Sequence, residues 1–120
     1  MQEILAWSVQ TTPGLELVAM VATATAALEE FDRNSPHVVI LDLVLREGSG
    51  LDVLREIKRR ASSCCVLVFT THDTEPYRIR CLAAGADYFF SKNKQHRDLI
   101  RVLQAFGAAA LNAQPRADHV

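Results

Sequence analysis

The sequence predicts an α/β domain built on a doubly wound parallel sheet, and three observations carry that expectation. Short apolar, β-branched runs alternate along the chain with helical periodicities. The runs lack polar alternation, as strands buried on both faces require. The clearest of them, in the stretch VVILDLVLREGSG from Val38 to Gly50, runs straight into one acid, Asp42, and then into a glycine-bearing loop. In open α/β sheets the ligand crevice lies at the carboxyl ends of the strands, so Asp42 stands where chemistry is expected. Taken alone, an aspartate there is equally a turn former.

The elements follow in order. Met1–Thr12 reads either as a helix remnant, with Leu5, Ser8, Val9 and Thr12 on one stripe, or as a short strand Ile4–Val9; Pro13-Gly14 ends it in both cases. Leu15–Val21 is valine-rich and suits a strand. Thr23 or Thr25 caps a helix whose apolar stripe is Ala24, Ala27, Leu28 and Phe31, ending around Phe31–Arg33. Asn34-Ser35-Pro36 is a turn, and His37–Leu41 is the central strand. The loop Arg46–Gly50 leads to a helix over Ser49–Arg60, with Ser49 and Asp52 resembling a capping box and Val53, Leu54 and Ile57 facing inward. Cys65–Phe69 is a further apolar strand running into Thr70-Thr71. Asp73 or Thr74 caps the next helix, Pro76 fits its first turn, and Gly85 ends it. Tyr88–Phe90 is a brief strand before Ser91-Lys92. The last helix spans His96 to Leu111, with Leu99, Val102, Leu103 and Phe106 on its inner stripe; Gly107 weakens it, and 112–120 read as a flexible tail.

Bulk properties bound the function. A chain of 120 residues fits one domain, 1–120, of which 1–14 is the atypical part. A net charge of −1 gives no global pull toward nucleic acid, and Lys58-Arg59-Arg60 closes a helix where cations are favourable. No apolar run reaches membrane-spanning length, so no membrane is expected and the cytoplasm is the default location. Cys64, Cys65 and Cys81 have no metal-binding spacing, and His37, His72, His96 and His119 are scattered, so reduced, packed thiols are expected.

Three strands end in polar residues: Asp42, Thr70 and Lys92. On adjacent strands they bring a carboxylate, a hydroxyl and an ammonium to one crevice. Such a set suits a phosphoryl group, because the lysine and hydroxyl bind its oxygens while the carboxylate accepts the phosphorus.

With these residues, VVILDLVLREGSGLDVLREIK, VLVFTT and GADYFFSK, the sequence resembles the receiver domain of two-component response regulators from about Leu15 to Phe106. The resemblance implies a flavodoxin-like fold and makes Asp42 the phosphoacceptor, Thr70 the switch hydroxyl and Lys92 the phosphate-pairing lysine. Phe89 matches the aromatic switch position, and Val44 and His72 fall where the family tunes dephosphorylation. It also implies a histidine kinase or phosphotransfer protein as donor and a downstream protein target, with no enzymatic activity of its own.

Several features depart from the family. Receiver domains open with a strand ending in two acids that bind Mg2+ together with the acceptor aspartate and a backbone carbonyl. Here the acids before Asp42 are Glu3, Glu16, Glu29, Glu30 and Asp32, and none follows an apolar strand. Asp42 and the carbonyl of Val44 alone should bind Mg2+ weakly or not at all, so phosphorylation is expected to be weak or absent. The first strand is missing or replaced. A gap there leaves backbone groups to be satisfied by Ile4–Val9, by segment exchange in a homodimer, or by residues upstream of Met1. Arg46 and Asn93 stand where the family usually has prolines.

The expected function is a stand-alone receiver acting through protein contact. The alternative is a phosphorylation-independent pseudo-receiver that keeps the scaffold as a docking surface. A dehalogenase-type aspartate enzyme would want an acid at Val44, and a flavin site finds only a faint phosphate loop in Thr11-Thr12-Pro13-Gly14.

Overall fold

The structure is a computed structural model that describes residues 12–16 and 20–113. Expectations for Ile4–Val9, for most of Met1–Thr12 and for 114–120 lie outside the described residues, as does any exchange of the N-terminal segment. The chain divides into two compact units: Val21–His96 forms one, and the described parts of Met1–Met20 and Arg97–Val120 form the other.

The larger unit opens with helix α1, Ala24–Asn34. Thr23 caps it, its hydroxyl accepting from the Ala26 N–H at 3.1 Å, and Ser35 closes it in the left-handed region at φ 44°. Strand β1, Val38–Leu41, leads through the Asp42 loop to helix α2, Gly50–Arg60. Strand β2, Cys65–Thr70, helix α3, Glu75–Ala83, and strand β3, Tyr88–Ser91, complete it. Ala84 and Gly85, the latter at φ 104°, end α3 as the sequence predicts.

The three strands form a parallel sheet in the order β1-β2-β3, with Leu41 opposite Val68 and Thr70 opposite Ser91. Val66 and Val68 pack with Phe31 of α1 and with Val53, Leu54 and Ile57 of α2 in one core cluster. Leu67 and Phe69 alternate to the other face and are equally buried, which explains the continuous apolar run. Parallel strands joined by helical crossovers bring all three carboxyl ends to one side.

One local expectation is corrected, and a second can be followed only at its flanks. Ser49 precedes α2 but its side chain makes no cap bond; its backbone instead bridges to Val44. The flanks of the Leu15–Val21 run, 15–16 and 20–21, are not strand, and 17–19 lie outside the described residues. Among the described residues, pairing here consists of a bridge between Thr23 and Glu47, flanked by Arg46 N–H to Ala22 C=O at 2.7 Å and Ala24 N–H to Glu47 C=O at 2.9 Å.

In the smaller unit, helix α4, His96–Ala113, buries Leu99 and Leu103 and continues through Asn112, where the sequence suggests a tail. Gly107 is a packing position: the Pro13 carbonyl oxygen lies 2.2 Å from where a Cβ would stand. No described helix is long and apolar enough to cross a membrane.

Candidate functional site

Asp42 follows β1, and Gly50 holds the loop behind it close. The Gly50 N–H donates to the Leu43 carbonyl at 3.2 Å, and a Cβ on Gly50 would stand 2.1 Å from the Asp42 carbonyl oxygen. Only a glycine lets α2 begin this near the strand end.

The Asp42 carboxylate has a partner on each oxygen. Oδ1 accepts from the Val44 N–H at 3.1 Å, a tight turn that fixes the carboxylate plane. Oδ2 accepts from Lys92 Nζ at 2.5 Å across fifty residues of sequence. Both side chains are sheltered, Lys92 at 16% exposure and Asp42 at 26%. The lysine ammonium also lies 5.9 Å from the centre of the Phe69 ring, within reach of its negative face.

Thr70 ends β2 between these two groups in the sheet. It is fully buried, and its Oγ1 accepts from the His72 N–H at 3.1 Å while its carbonyl accepts from the Lys92 N–H at 2.9 Å. The remaining sequence-predicted positions lie around this centre. Phe89 sits in β3, partly buried against the core cluster. Val44 is 53% exposed on the rim, and His72 is exposed with its ring edge-on to Tyr77 at 5.2 Å.

Asp73 and Ser91 carry more than sequence reasoning assigned them. Ser91 Oγ donates to Asp73 Oδ2 at 2.6 Å, so Asp73 ties β3 to the loop after β2, while Thr74, the other residue the sequence offers, stands at the N-cap of α3 without a side-chain cap bond. That bond holds the Asp73 carboxyl below its ordinary range against the opposing effect of burial, with further help from its own backbone N–H, Lys94 and Asn93. The signal was the dipeptide Ser91-Lys92 itself, a buried hydroxyl beside a site cation.

Among the described residues, Asp42 is the crevice carboxylate that would hold a divalent cation. No group of three or more His, Cys, Asp or Glu side chains is arranged to hold one, and both Asp42 oxygens already have protein donors.

Comparisons with known proteins show the family. The chain matches the family model of the response regulator receiver domain over residues 1–104. Sensory transduction protein RegX3 of Mycobacterium leprae is 40% identical over 86 residues, covering 72% of this chain and 43% of that protein. The chain thus spans less than half the length of the curated relatives it matches. A LuxR-family two-component response regulator from Aurantimonas superposes with a TM-score of 0.80 at 25% identity, covering 90% of this chain and 77% of that one. The response regulator domain of Thermotoga maritima CheB shares the fold, with a TM-score of 0.76 at 21% identity over 96% of this chain and 90% of its own. An aspartate, a hydroxyl and a lysine gathered at the carboxyl ends of parallel strands, together with the family match, identify the chain as a member of the response regulator receiver domain family of two-component signalling.

Proposed function

We propose that this chain, as one receiver-like domain, uses Asp42 as its phosphoacceptor, with Thr70 and Lys92 binding the phosphoryl oxygens. The observation that carries the reading is the Lys92 Nζ to Asp42 Oδ2 contact of 2.5 Å, one residue beyond the paired ends of β2 and β3. A phosphoryl group on Oδ2 would displace the ammonium onto its own oxygens, and the Thr70 hydroxyl would turn from the His72 N–H to follow. Phe89 in β3 then reports the change outward, with Val44 and His72 at the rim setting how readily water reaches the acyl phosphate. The donor is a histidine kinase or phosphotransfer protein. Output is a protein contact, for which α3 offers exposed Tyr77, Ile79 and Leu82 and β3 offers exposed Tyr88.

Magnesium binding at this site is weak or absent, and phosphorylation is correspondingly slow. Without a cation, an incoming phosphate meets the Asp42 carboxylate with Lys92, among the described residues, to offset the repulsion. Incubation with magnesium and a small acyl-phosphate donor, read by intact mass with Asp42→Asn as control, tests the proposal. Slow gain of one phosphoryl group in the parent alone supports it; rapid magnesium-dependent gain overturns the metal argument.

A second reading has its own support in the full engagement of both Asp42 oxygens. A pseudo-receiver would use the Asp42–Lys92 pair as a permanent strut and dock partners whatever its phosphorylation state. No phosphoryl gain from folded protein, and partner binding unchanged by Asp42→Asn, would favour it.

A further inference from the structure

Lys92 reaches Asp42 from a backbone held on every side by one residue. Ser91 is buried, and each of its polar atoms is used. Its N–H donates to Gln95 Oε1 at 2.9 Å, and its carbonyl accepts from the Gln95 N–H at 2.8 Å. Its Oγ donates to Asp73 Oδ2 at 2.6 Å and accepts from the Asn93 N–H at 3.2 Å. Asp73 belongs to the loop that leaves Thr70, and that loop is closed on itself by His72 N–H to Thr70 Oγ1 and by Asp73 N–H to the Thr71 carbonyl at 3.0 Å. The bonds through Ser91 therefore join the segment carrying the hydroxyl to the segment carrying the ammonium.

The Asn93 N–H is part of this chain of bonds. A proline at that position has no N–H and would leave the Ser91 hydroxyl without its donor. The described peptide bonds are all trans, and the turn after Lys92 is held by hydrogen bonds through Ser91.

We propose that Asp73, Ser91 and the Asn93 N–H form a latch that positions Lys92 on Asp42. Ser91 and Asp73 touch neither the carboxylate nor the ammonium; they act by fixing the backbone from which the lysine extends. A charge-assisted bond to a carboxylate from a buried hydroxyl is short and directional, which is what a positioning contact requires. This inference rests on the reading of Asp42 and Lys92 as the working pair of the site, and its test separates the two.

The test is the reactivity of the lysine itself. The chain has only Lys58, Lys92 and Lys94, so trace acetylation with acetic anhydride, read residue by residue by tandem mass spectrometry, reports each ammonium. Lys58 serves as the internal reference, being bound to Asp87 at 2.7 Å away from the latch. Ser91→Ala and Asp73→Ala are expected to raise Lys92 acetylation at least threefold, toward the level in Asp42→Asn, with Lys58 unchanged. Ser91→Thr, which keeps the hydroxyl, is expected to stay at the parent level. Unchanged Lys92 labelling in both alanine variants overturns the latch. So does a parallel rise at Lys58, because that reports general loosening. If Asp42→Asn itself leaves Lys92 labelling unchanged, the pair is not formed in solution, and the site reading falls together with the latch.

Discussion

Gly50→Ala tests how closely the Asp42 loop depends on bare backbone. Gly50 is buried at the first position of α2, and a Cβ there would stand 2.1 Å from the Asp42 carbonyl oxygen, 2.6 Å from Leu43 Cα and 2.9 Å from the Asp42 carbonyl carbon. The shortest of these is roughly 1 Å or more inside ordinary contact distance. All three atoms are backbone, so no rotamer change relieves the clash. Either α2 retreats or the chain between Asp42 and Val44 shifts.

Overpacking of this kind costs about 1–3 kcal/mol. Moving α2 also stretches the Gly50 N–H to Leu43 C=O bond, worth about 1 kcal/mol. Restricting the unfolded chain by replacing glycine returns about 0.4–1 kcal/mol. The expected net loss is therefore about 2 kcal/mol, a fall of roughly 1–2 M in the urea midpoint for a domain of this size. Gly50 is not among the glycines with positive φ, so the penalty is steric, and asparagine, which tolerates left-handed backbone, should do no better than alanine. A Gly50→Ala protein with the parent's midpoint and the parent's rate of phosphoryl uptake would falsify the claim that this approach shapes the site.

Other consequences follow from named contacts. Lys58 Nζ donates to the Cys64 carbonyl at 2.5 Å and to Asp87 Oδ2 at 2.7 Å, so Lys58→Met should cost about 1–2 kcal/mol by urea titration, and a loss under 0.3 kcal/mol would discount the staple. Burial pushes the Asp87 carboxyl up, but the bonds from Lys58 and the Val66 N–H outweigh it and leave the group below its ordinary 3.8. A carboxyl lowered by folding stabilises the fold above its unfolded pKa and loses that effect as pH falls through the folded value. The urea midpoint should thus be flat at neutral pH and drop below about pH 4, less steeply in Asp87→Asn; an identical slope in that variant would sink the assignment. Burial raises all three thiols, Cys65 to about 11, so iodoacetamide at neutral pH should leave the native protein unmodified and add three groups in denaturant; a rapid native adduct would contradict the packing. Gly107→Ala gains about 1 kcal/mol by helix propensity alone, yet its Cβ would meet the Pro13 carbonyl oxygen at 2.2 Å. Thermal unfolding should show destabilisation, and a raised midpoint would mean the close approach does not exist.

The parts of the fold legible in the sequence are those decided locally. Thr23 caps α1 because the residue three on presents a free N–H, and Gly85 ends α3 because the chain there needs positive φ. VVIL and CVLVFT read as buried strands because both faces of a parallel sheet demand apolar residues. What escaped local reading was decided by partners distant in sequence. Asp73 has the composition of a cap, but Ser91, eighteen residues away, claims its carboxylate. Ser49 and Asp52 have capping-box spacing, but Ser49 is held by its bridge to Val44. Gly107 reads as a helix weakness because nothing near it in sequence announces the Pro13 backbone.

The meeting of Asp42 and Lys92 was legible because strand register helps to place both residues. At the start of β3, Asp87 accepts from the Val66 N–H at 2.8 Å and its own N–H donates to the Val66 carbonyl at 3.0 Å, which pins the pairing with β2. At the other end Thr70 pairs with Ser91, and the Lys92 N–H continues onto the Thr70 carbonyl. A slip of one residue would exchange the faces of β3, turning buried Ser91 out of the latch and the exposed Tyr88 inward. With register fixed at both ends, Lys92 emerges one residue past Ser91, and β2 with Thr70 lies between it and the strand that delivers Asp42. Arg46 and Asn93 stand in the loops beyond these strands, and the carboxylate and ammonium meet at 2.5 Å.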